Sequence, residues 1–376
     1  MTLASHRELF EIPRDVAYLN NASFTPLPRP VRQAGERGVA AKSTPWMMDD
    51  AAIAAHAGTV RQAAGRLIGA AGQDIALTNA VAYGIGTAAA NLPIGRGTRI
   101  LMISGEFPSL AMAFARLAEE RGAVLDIVPR PADDDWTAAI QARIEAPGLP
   151  PVGVAALTPL VWTEGAVIDL DVLLPALRRQ GAAVVIDATQ AAGIMDLDVA
   201  RLQPDYMAFP TYKWLLGPYT QAFLYVAPAR QDGRPLEQHG AGREGGADPF
   251  RGHLTPMVPG AARFDMGERL NPVGLPMALA GMTLLEEWGR EALAARLRTT
   301  TDALAEAAEA AGFAVIPRRF RVPHILGVRV PDANAAVTQL AAHGVHAAAR
   351  GGTLRLGVHV FNDGEDVARF AAAIKA

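Results

Sequence analysis

The sequence predicts an α/β protein: a largely parallel sheet covered by helices on both faces, followed by a smaller α+β domain. Three observations point there. Short apolar runs rich in Val, Ile and Leu recur between amphipathic stretches, a glycine stands where each clear helix should stop, and past residue 227 these alternating elements give way to a stretch rich in Gly, Pro and charge. With 376 residues, half of them hydrophobic, the chain can bury a large core and divide into two domains.

Seven runs read as strands: Ile75 to Thr78, Arg99 to Ile103, Val124 to Val128, Gly153 to Leu157, Ala183 to Ile186, Tyr206 to Phe209 and Ala222 to Val226. Their near-continuous apolar character suits strands buried on both faces. Between them, Ser109 to Arg121 and Leu170 to Gln180 carry apolar residues at helical spacing, with Gly122 and Gly181 at the expected C-caps. The last two strands are joined through the tight link Gly217-Pro218-Tyr219-Thr220 and are expected to pair as a hairpin. From Ala227 to Gly260 the chain reads as a long ordered loop with a function, marked by Gly240-Ala241-Gly242-Arg243-Glu244-Gly245-Gly246. Leu275 to Ala311 is helical and broken near Gly289. Phe313 to Ala376 reads strand, strand, helix, strand, helix.

Several function classes are excluded at this level. The net charge is −3 and basic residues are scattered; the one tight cluster, Arg318-Arg319-Phe320-Arg321, reads as a solvated turn, so no nucleic-acid partner is expected. The chain has no cysteine, which excludes disulfides, thiolate metal sites and cysteine nucleophiles. The first residues lack a basic segment leading into an apolar one, and no apolar run is long enough for a bilayer. A soluble cytoplasmic protein with no membrane partner is expected. His343 and His346 share a helical face at ligand spacing but have no carboxylate or cysteine company, so no metal is expected. No Gly-x-Ser-x-Gly elbow occurs.

The chemistry-bearing residues gather at strand ends. Asp187 closes the run Val184-Val185-Ile186, and Lys213 follows the next strand in Phe209-Pro210-Thr211-Tyr212-Lys213-Trp214. An acid and a lysine at the carboxyl ends of neighbouring strands are what pyridoxal 5'-phosphate needs: the amine holds the aldehyde as a Schiff base, and the carboxylate keeps the pyridine nitrogen protonated. Gln190, three residues past Asp187, could donate to the ring oxygen. The plain alternative makes Asp187 a helix N-cap and Lys213 a surface lysine. For the phosphate, Leu77-Thr78-Asn79-Ala80-Val81-Ala82-Tyr83-Gly84 follows a strand and opens a helix, so backbone N–H groups around Ala82, Tyr83 and Gly84 would face an anion. A rival reading takes Gly84-Ile85-Gly86-Thr87-Ala88-Ala89 as a dinucleotide fingerprint with Glu106 as the ribose acid, making an NAD-binding or non-catalytic protein. It leaves Lys213 unexplained. The hydroxyls of Thr211 and Tyr212 could complete the phosphate site or merely pack at the strand end.

The stretch Ala183 to Val226 resembles the class V aminotransferase family, whose signature is Asp-x-x-Gln at one strand end and Lys near the end of the next. Leu157 to Leu170, Pro259 to Glu268 and Leu354 to Asn362 also resemble family blocks, in the expected order. The resemblance implies the pyridoxal-phosphate fold type I: a large cofactor domain over residues 21–258 with a mostly parallel seven-stranded sheet, a small α+β domain with its linking helix over 259–376, and residues 1–20 packed on the small domain. It implies that Phe107 stacks on the cofactor, where cysteine desulfurases use histidine and kynureninases phenylalanine; a phenyl ring stacks but transfers no proton. Arg355 resembles the arginine that clamps the substrate α-carboxylate, a pairing that suits guanidinium geometry. The segment Tyr18 to Phe24, with Asn21, resembles one that reaches the active site. Side-chain specificity is expected from Trp162, the loop around Arg243 and a partner chain, in a homodimer with shared active sites.

Two departures stand out. Gly267-Glu268-Arg269 replaces the usual Gly-Thr-Pro, whose threonine reaches the partner's phosphate; Arg269 or Asn271 could replace it. The absence of cysteine excludes a persulfide-forming desulfurase. The implied activity is on a small α-amino acid, through an external aldimine and a quinonoid, with Lys213 as proton carrier. Transamination is favoured because no further acid, base or thiol for a leaving group is identified; a lyase or an amino-acid epimerase is the alternative.

Overall fold

The apolar runs become strands at the expected places. In the computed structural model, which describes residues 3–245 and 255–375, a two-residue strand β1 (Ala17–Tyr18) precedes helices α1 (Arg29–Lys42) and α2 (Asp50–Leu67). Then follow β2 (Ile75–Thr78), α3 (Val81–Asn91), β3 (Arg99–Ile103), α4 (Pro108–Arg121), β4 (Val124–Val128), α5 (Trp136–Glu145) and β5 (Val152–Leu157). A small hairpin, β6 (Leu160–Val161) with β7 (Ala166–Val167), leads to α6 (Leu170–Arg179), β8 (Ala183–Asp187), α7 (Val199–Leu202), β9 (Tyr206–Pro210) and β10 (Ala222–Val226).

Seven of these strands form one sheet in the order β2-β10-β9-β8-β5-β3-β4. All run the same way except β10, which is antiparallel to both β9 and β2, so the expected hairpin forms. Alternate residues along each strand enter separate apolar clusters: Leu101, Ile103, Val184, Ile186, Met207 and Phe209 in one, Ile100, Met102, Val185, Tyr206 and Ala208 in the other. The period of two delivers a core to each face of the sheet. Helix α4 ends on Gly122 in the left-handed conformation (φ +68°), where its amide bonds back to Ala118.

The long loop predicted from Ala227 to Gly260 lies in part, over 246–254, outside the described residues. Beyond it, α8 (Gly274–Trp288) and α9 (Arg290–Ala310) meet at Gly289, whose φ of +73° breaks the helical stretch where the sequence places the break. The small domain comprises β11 (Ala314–Val315), β12 (Ile325–Arg329), α10 (Ala333–Ala342), β13 (Val345–His346), β14 (Ala348–Arg350), β15 (Thr353–Gly357) and α11 (Gly364–Ala373), with four strands in the order β11-β12-β15-β14.

Three expectations are corrected here. The single strand expected between the last two helices is three, because Gly351 and Gly352, both at positive φ, fold the run into the β14–β15 hairpin. His343 and His346 do not share a helical face: Gly344, at φ +73°, ends α10 between them and puts His346 in β13. Arg321 is buried and paired with Asp302, so the basic cluster is only partly solvated. Among the described residues no group of acids and histidines could hold a metal, and no helix is long and apolar enough to cross a membrane.

The chain start is tied to the chain end. β1 pairs in parallel with β13, and the buried Arg7 guanidinium donates to both Asp366 oxygens at 3.1 and 2.9 Å. Helix α8 closes the other side, and its Gly281 lets the backbone approach the Lys213–Gly217 loop. A Cβ at Gly281 would collide with the carbonyl oxygen of Leu215 and sit 3.2 Å from the carbonyl carbon of Leu216. Gly281→Ala is therefore expected to lower stability by about 1–3 kcal/mol through backbone displacement. Urea denaturation at pH 8 checks this; an unchanged midpoint would mean that the loop moves freely away from α8.

Candidate active site

Every parallel strand leaves the sheet at one edge, and five of those exits surround one cavity. It has a volume of about 320 Å³. Asn79 to Ala82 follow β2, Glu106 and Phe107 follow β3, Thr158 follows β5, Asp187 ends β8 and Lys213 follows β9; Trp162, Gln190, Tyr212 and Tyr219 complete much of the wall. A crevice outside the carboxyl ends of an open α/β sheet is where ligands bind.

Asp187 is 4% exposed, and one of its oxygens accepts the Thr189 N–H at 2.9 Å. Burial pushes its carboxyl above the usual carboxylate range, while the Thr189 bonds and the Lys213 charge draw it back. Gln190 has its carbonyl on the Trp214 indole N–H at 2.8 Å and donates to Ala22 O at 3.1 Å, and it lines the cavity. The Lys213 amine is 5.9 Å from the Phe107 ring centroid and 5.6 Å from that of Tyr212. Burial lowers its pKa to about 8, helped by the positive charges of Arg355 and Arg350 and opposed by Asp187.

The loop carrying Lys213 is held from every side. Gly217 N–H donates to Thr211 O at 2.8 Å, and Thr25 donates to the Lys213 carbonyl. Leu216 and Thr220 take left-handed φ values of +58° and +57°, a conformation that costs non-glycine residues and persists only where the surroundings enforce it. Trp214, 1% exposed, has His324 edge-on at 4.3 Å and His359 stacked at 5.9 Å. His324 Nε2 donates to Gln190 O at 2.6 Å and His359 Nε2 to Trp214 O at 3.3 Å; a carbonyl only accepts, so each Nε2 carries its proton.

The structure moves two of the phosphate residues. Helix α3 starts at Val81, so Tyr83 and Gly84 already donate to Ala80 O, and the open amides by position are those of Val81 and Ala82. Gly84 is small for another reason: an added Cβ would stand 3.1 Å from Ala208 Cβ on the sheet. The dinucleotide reading fails with it, because Gly84 to Ala89 lie inside α3 rather than in a turn. Thr211 is fully buried with its hydroxyl engaged at Pro218 O and Gln221 O, so it staples the β9–β10 link instead of facing the cavity. Tyr212 does line the cavity, stacked on Tyr219 at 4.4 Å.

Phe107 is 41% exposed and meets Trp162 edge-on at 5.4 Å. Arg355 stands behind this wall. Its guanidinium is 5.7 Å from the Trp162 ring centroid and donates to Trp162 O at 3.0 Å and to the Ser23 hydroxyl at 2.7 Å. Asn21 is fully buried with neither end of its amide bonded. Asn271 lies away from the cavity, its carbonyl capping α8 at Val273 and Gly274, and Arg269 pairs with Asp265 at 3.1 Å.

Glu106 is the residue sequence reasoning undervalued. It is 8% exposed, accepts the Phe107 N–H at 2.7 Å and the Thr158 hydroxyl at 3.2 Å, and burial raises its pKa to about 7. Its position beside Phe107 at a strand end was the available signal.

The aminotransferase class-V family pattern matches residues 17–370. The chain belongs to this family. It is a pyridoxal-phosphate enzyme, and the donor set fits that cofactor: a buried carboxylate in need of a proton donor, an amine of lowered pKa, flat aromatic walls and a helix N-terminus with open amides. An isopenicillin N epimerase from Streptomyces clavuligerus is 29% identical over 218 residues, 57% of this chain and 54% of that protein. A kynureninase from Deinococcus radiodurans is 27% identical over 289 residues, 70% of this chain and 64% of that protein. The chain thus spans about half to two thirds of the length of these class-V relatives. A cysteine desulfurase from Thermococcus onnurineus shares the fold type I architecture, with a TM-score of 0.86 at 20% identity, covering 98% of this chain and 96% of that one.

The two histidines make the site sensitive to acid. Burial lowers His324 to about 3 and His359 to about 4, whereas in the unfolded class-V chain they take up protons from about pH 6.5. The unfolded state then binds more protons, so stability is full above about pH 6.5 and falls as pH drops toward 4, by up to about 1.4 kcal/mol per pH unit for each ring. Urea midpoints from pH 8 to 4.5 should show this slope, and His324→Asn/His359→Asn should flatten it; a slope unchanged in the double variant would assign it to other groups.

Proposed function

We propose that this class-V enzyme is an aminotransferase acting on an α-amino acid. When bound, pyridoxal phosphate supplies an electron sink for the bond broken at the substrate Cα. Asp187 would face the ring nitrogen, Gln190 the ring oxygen and Phe107 the ring plane, with the Val81 and Ala82 amides and the Tyr212 hydroxyl toward the phosphate. Arg355 holds the α-carboxylate and so fixes which bond at Cα is presented to Lys213.

The observation that carries the reading is the state of Lys213. Its pKa of about 8 leaves part of the amine neutral near pH 7.5, ready to take the Cα proton at Nζ. Glu106, the other titratable group near neutrality there, has both oxygens engaged, so it is not free to serve a leaving group. One mobile carrier suits transamination, in which Nζ takes a proton from one carbon and returns it to another. Inversion at Cα is a second reading, favoured by the Streptomyces clavuligerus relative, an isopenicillin N epimerase. The working unit is proposed to be a homodimer with shared sites, for which Trp46 and Met47, 80% and 75% exposed, offer an apolar face.

Purified protein supplied with pyridoxal phosphate should develop a visible absorption band that borohydride abolishes, and Lys213→Ala should lack it. No band in the wild type would remove Lys213 from its role. Incubation with α-amino acids in heavy water should yield keto acids, with yields beyond one equivalent only when a second keto acid is added. Inverted substrate labelled at Cα, or cleavage products such as pyruvate, alanine or sulfide without keto-acid demand, would overturn transamination.

A further inference from the structure

Four arginines are buried among the described residues: Arg7, Arg99, Arg321 and Arg355. Three of them pair with carboxylates, Arg7 with Asp366, Arg99 with Asp126 and Arg321 with Asp302. Arg355 differs. Its partners are the Trp162 carbonyl and the Ser23 hydroxyl, both neutral.

Arg350 lies beside it on the β14–β15 hairpin and donates to the same Ser23 hydroxyl, at 3.3 Å against 2.7 Å for Arg355; its other bond goes to the Ala349 carbonyl. Two cations therefore share one neutral acceptor. The positive charge of Arg350 helps lower the pKa of both Arg355 and Lys213, so it is felt at the cavity. Holding a half-buried guanidinium beside a buried one without an anion is costly, and the cost falls when a ligand brings negative charge. A single α-carboxylate on Arg355 answers one of the two.

We propose that Arg350 binds a second anionic group of the substrate, so that the enzyme selects α-amino acids with an acidic side chain. This deepens the reading above and rests on it for the role of Arg355. The Ser23 hydroxyl holds both guanidiniums, and Arg355 also binds the carbonyl of Trp162, whose residue lines the cofactor cavity. Acidic substrates then gain a charge-assisted bond that neutral ones of equal length lack.

Calorimetric titration of the cofactor-loaded enzyme with succinate and glutarate, against propionate and butyrate, tests this without turnover. The dicarboxylates should bind about ten- to a hundredfold tighter. Arg350→Gln should cost the dicarboxylates most of their advantage while monocarboxylate binding persists, which also shows that the site is folded, and Arg350→Lys should recover part of the preference. Equal binding of both probe classes by the wild type, or an equal loss of both in Arg350→Gln, would overturn the proposal; the latter would mean that both guanidiniums hold one carboxylate. Arg355→Gln should weaken both classes. If it weakens neither, the α-carboxylate clamp fails, and the Arg350 preference is still read from its own variant.

Discussion

Strands β8 and β9 lie side by side and run the same way, so Asp187 and the chain leading to Lys213 leave the sheet at the same edge. That shared direction puts opposite charges in one water-poor cavity. The remaining exits, after β2, β3 and β5, bring a helix N-terminus, the Phe107 ring and the Thr158 hydroxyl to the same place without any of them being near in sequence. An antiparallel arrangement would have sent alternate ends to opposite edges. β10, the one antiparallel strand, contributes no charge; its link to β9 supplies Tyr219 and Thr220 to the wall instead.

Charge in the cavity is balanced loosely. Burial raises the acids Asp187 and Glu106 and lowers Lys213 and Arg355, so each group is held nearer to its neutral form than it would be in water. The protein meets part of this cost through hydrogen bonds: Thr189 on Asp187, Thr158 and the Phe107 amide on Glu106, Ser23 on Arg355. The rest is met when ligand charges arrive. Glu106, at about 7, and Lys213, at about 8, are the two groups this leaves poised to exchange protons near neutral pH.

The strands and the Asp187–Lys213 pair were legible in the sequence because each leaves a local mark: an apolar run of fixed length, a carboxylate or lysine at its end. Phe107 was pointed to by the family resemblance, and it lines the same cavity. Placement across elements was less so. Tyr83 and Gly84 looked like phosphate donors until the helix start at Val81 fixed which amides stay open, and Thr211 looked like a ligand residue until its hydroxyl met Pro218 and Gln221 across the turn. Ser23 and Arg350 meet only because β14 folds back on β15 and the N-terminal segment lies over both, a contact between residues more than three hundred positions apart. His324 and His359 carried no local signal, since a histidine beneath a tryptophan is set by tertiary packing alone.

The tie between the two ends of the chain has a consequence for how the protein is made. β1 and Ser23 are made before the seven-stranded sheet, yet their partners β13, Arg350 and Arg355 are made after it, and Arg7 waits for Asp366. A nascent chain that has finished the seven-stranded sheet already holds Asp187 and Lys213 but lacks the wall behind Trp162 and the histidines under Trp214. Synthesis therefore passes through a long interval in which an unclosed cavity and an unpaired N-terminal strand are exposed together, the kind of half-built surface that chaperones cover. The site matures only when β13 to β15 have been made and hold the β1 segment in place.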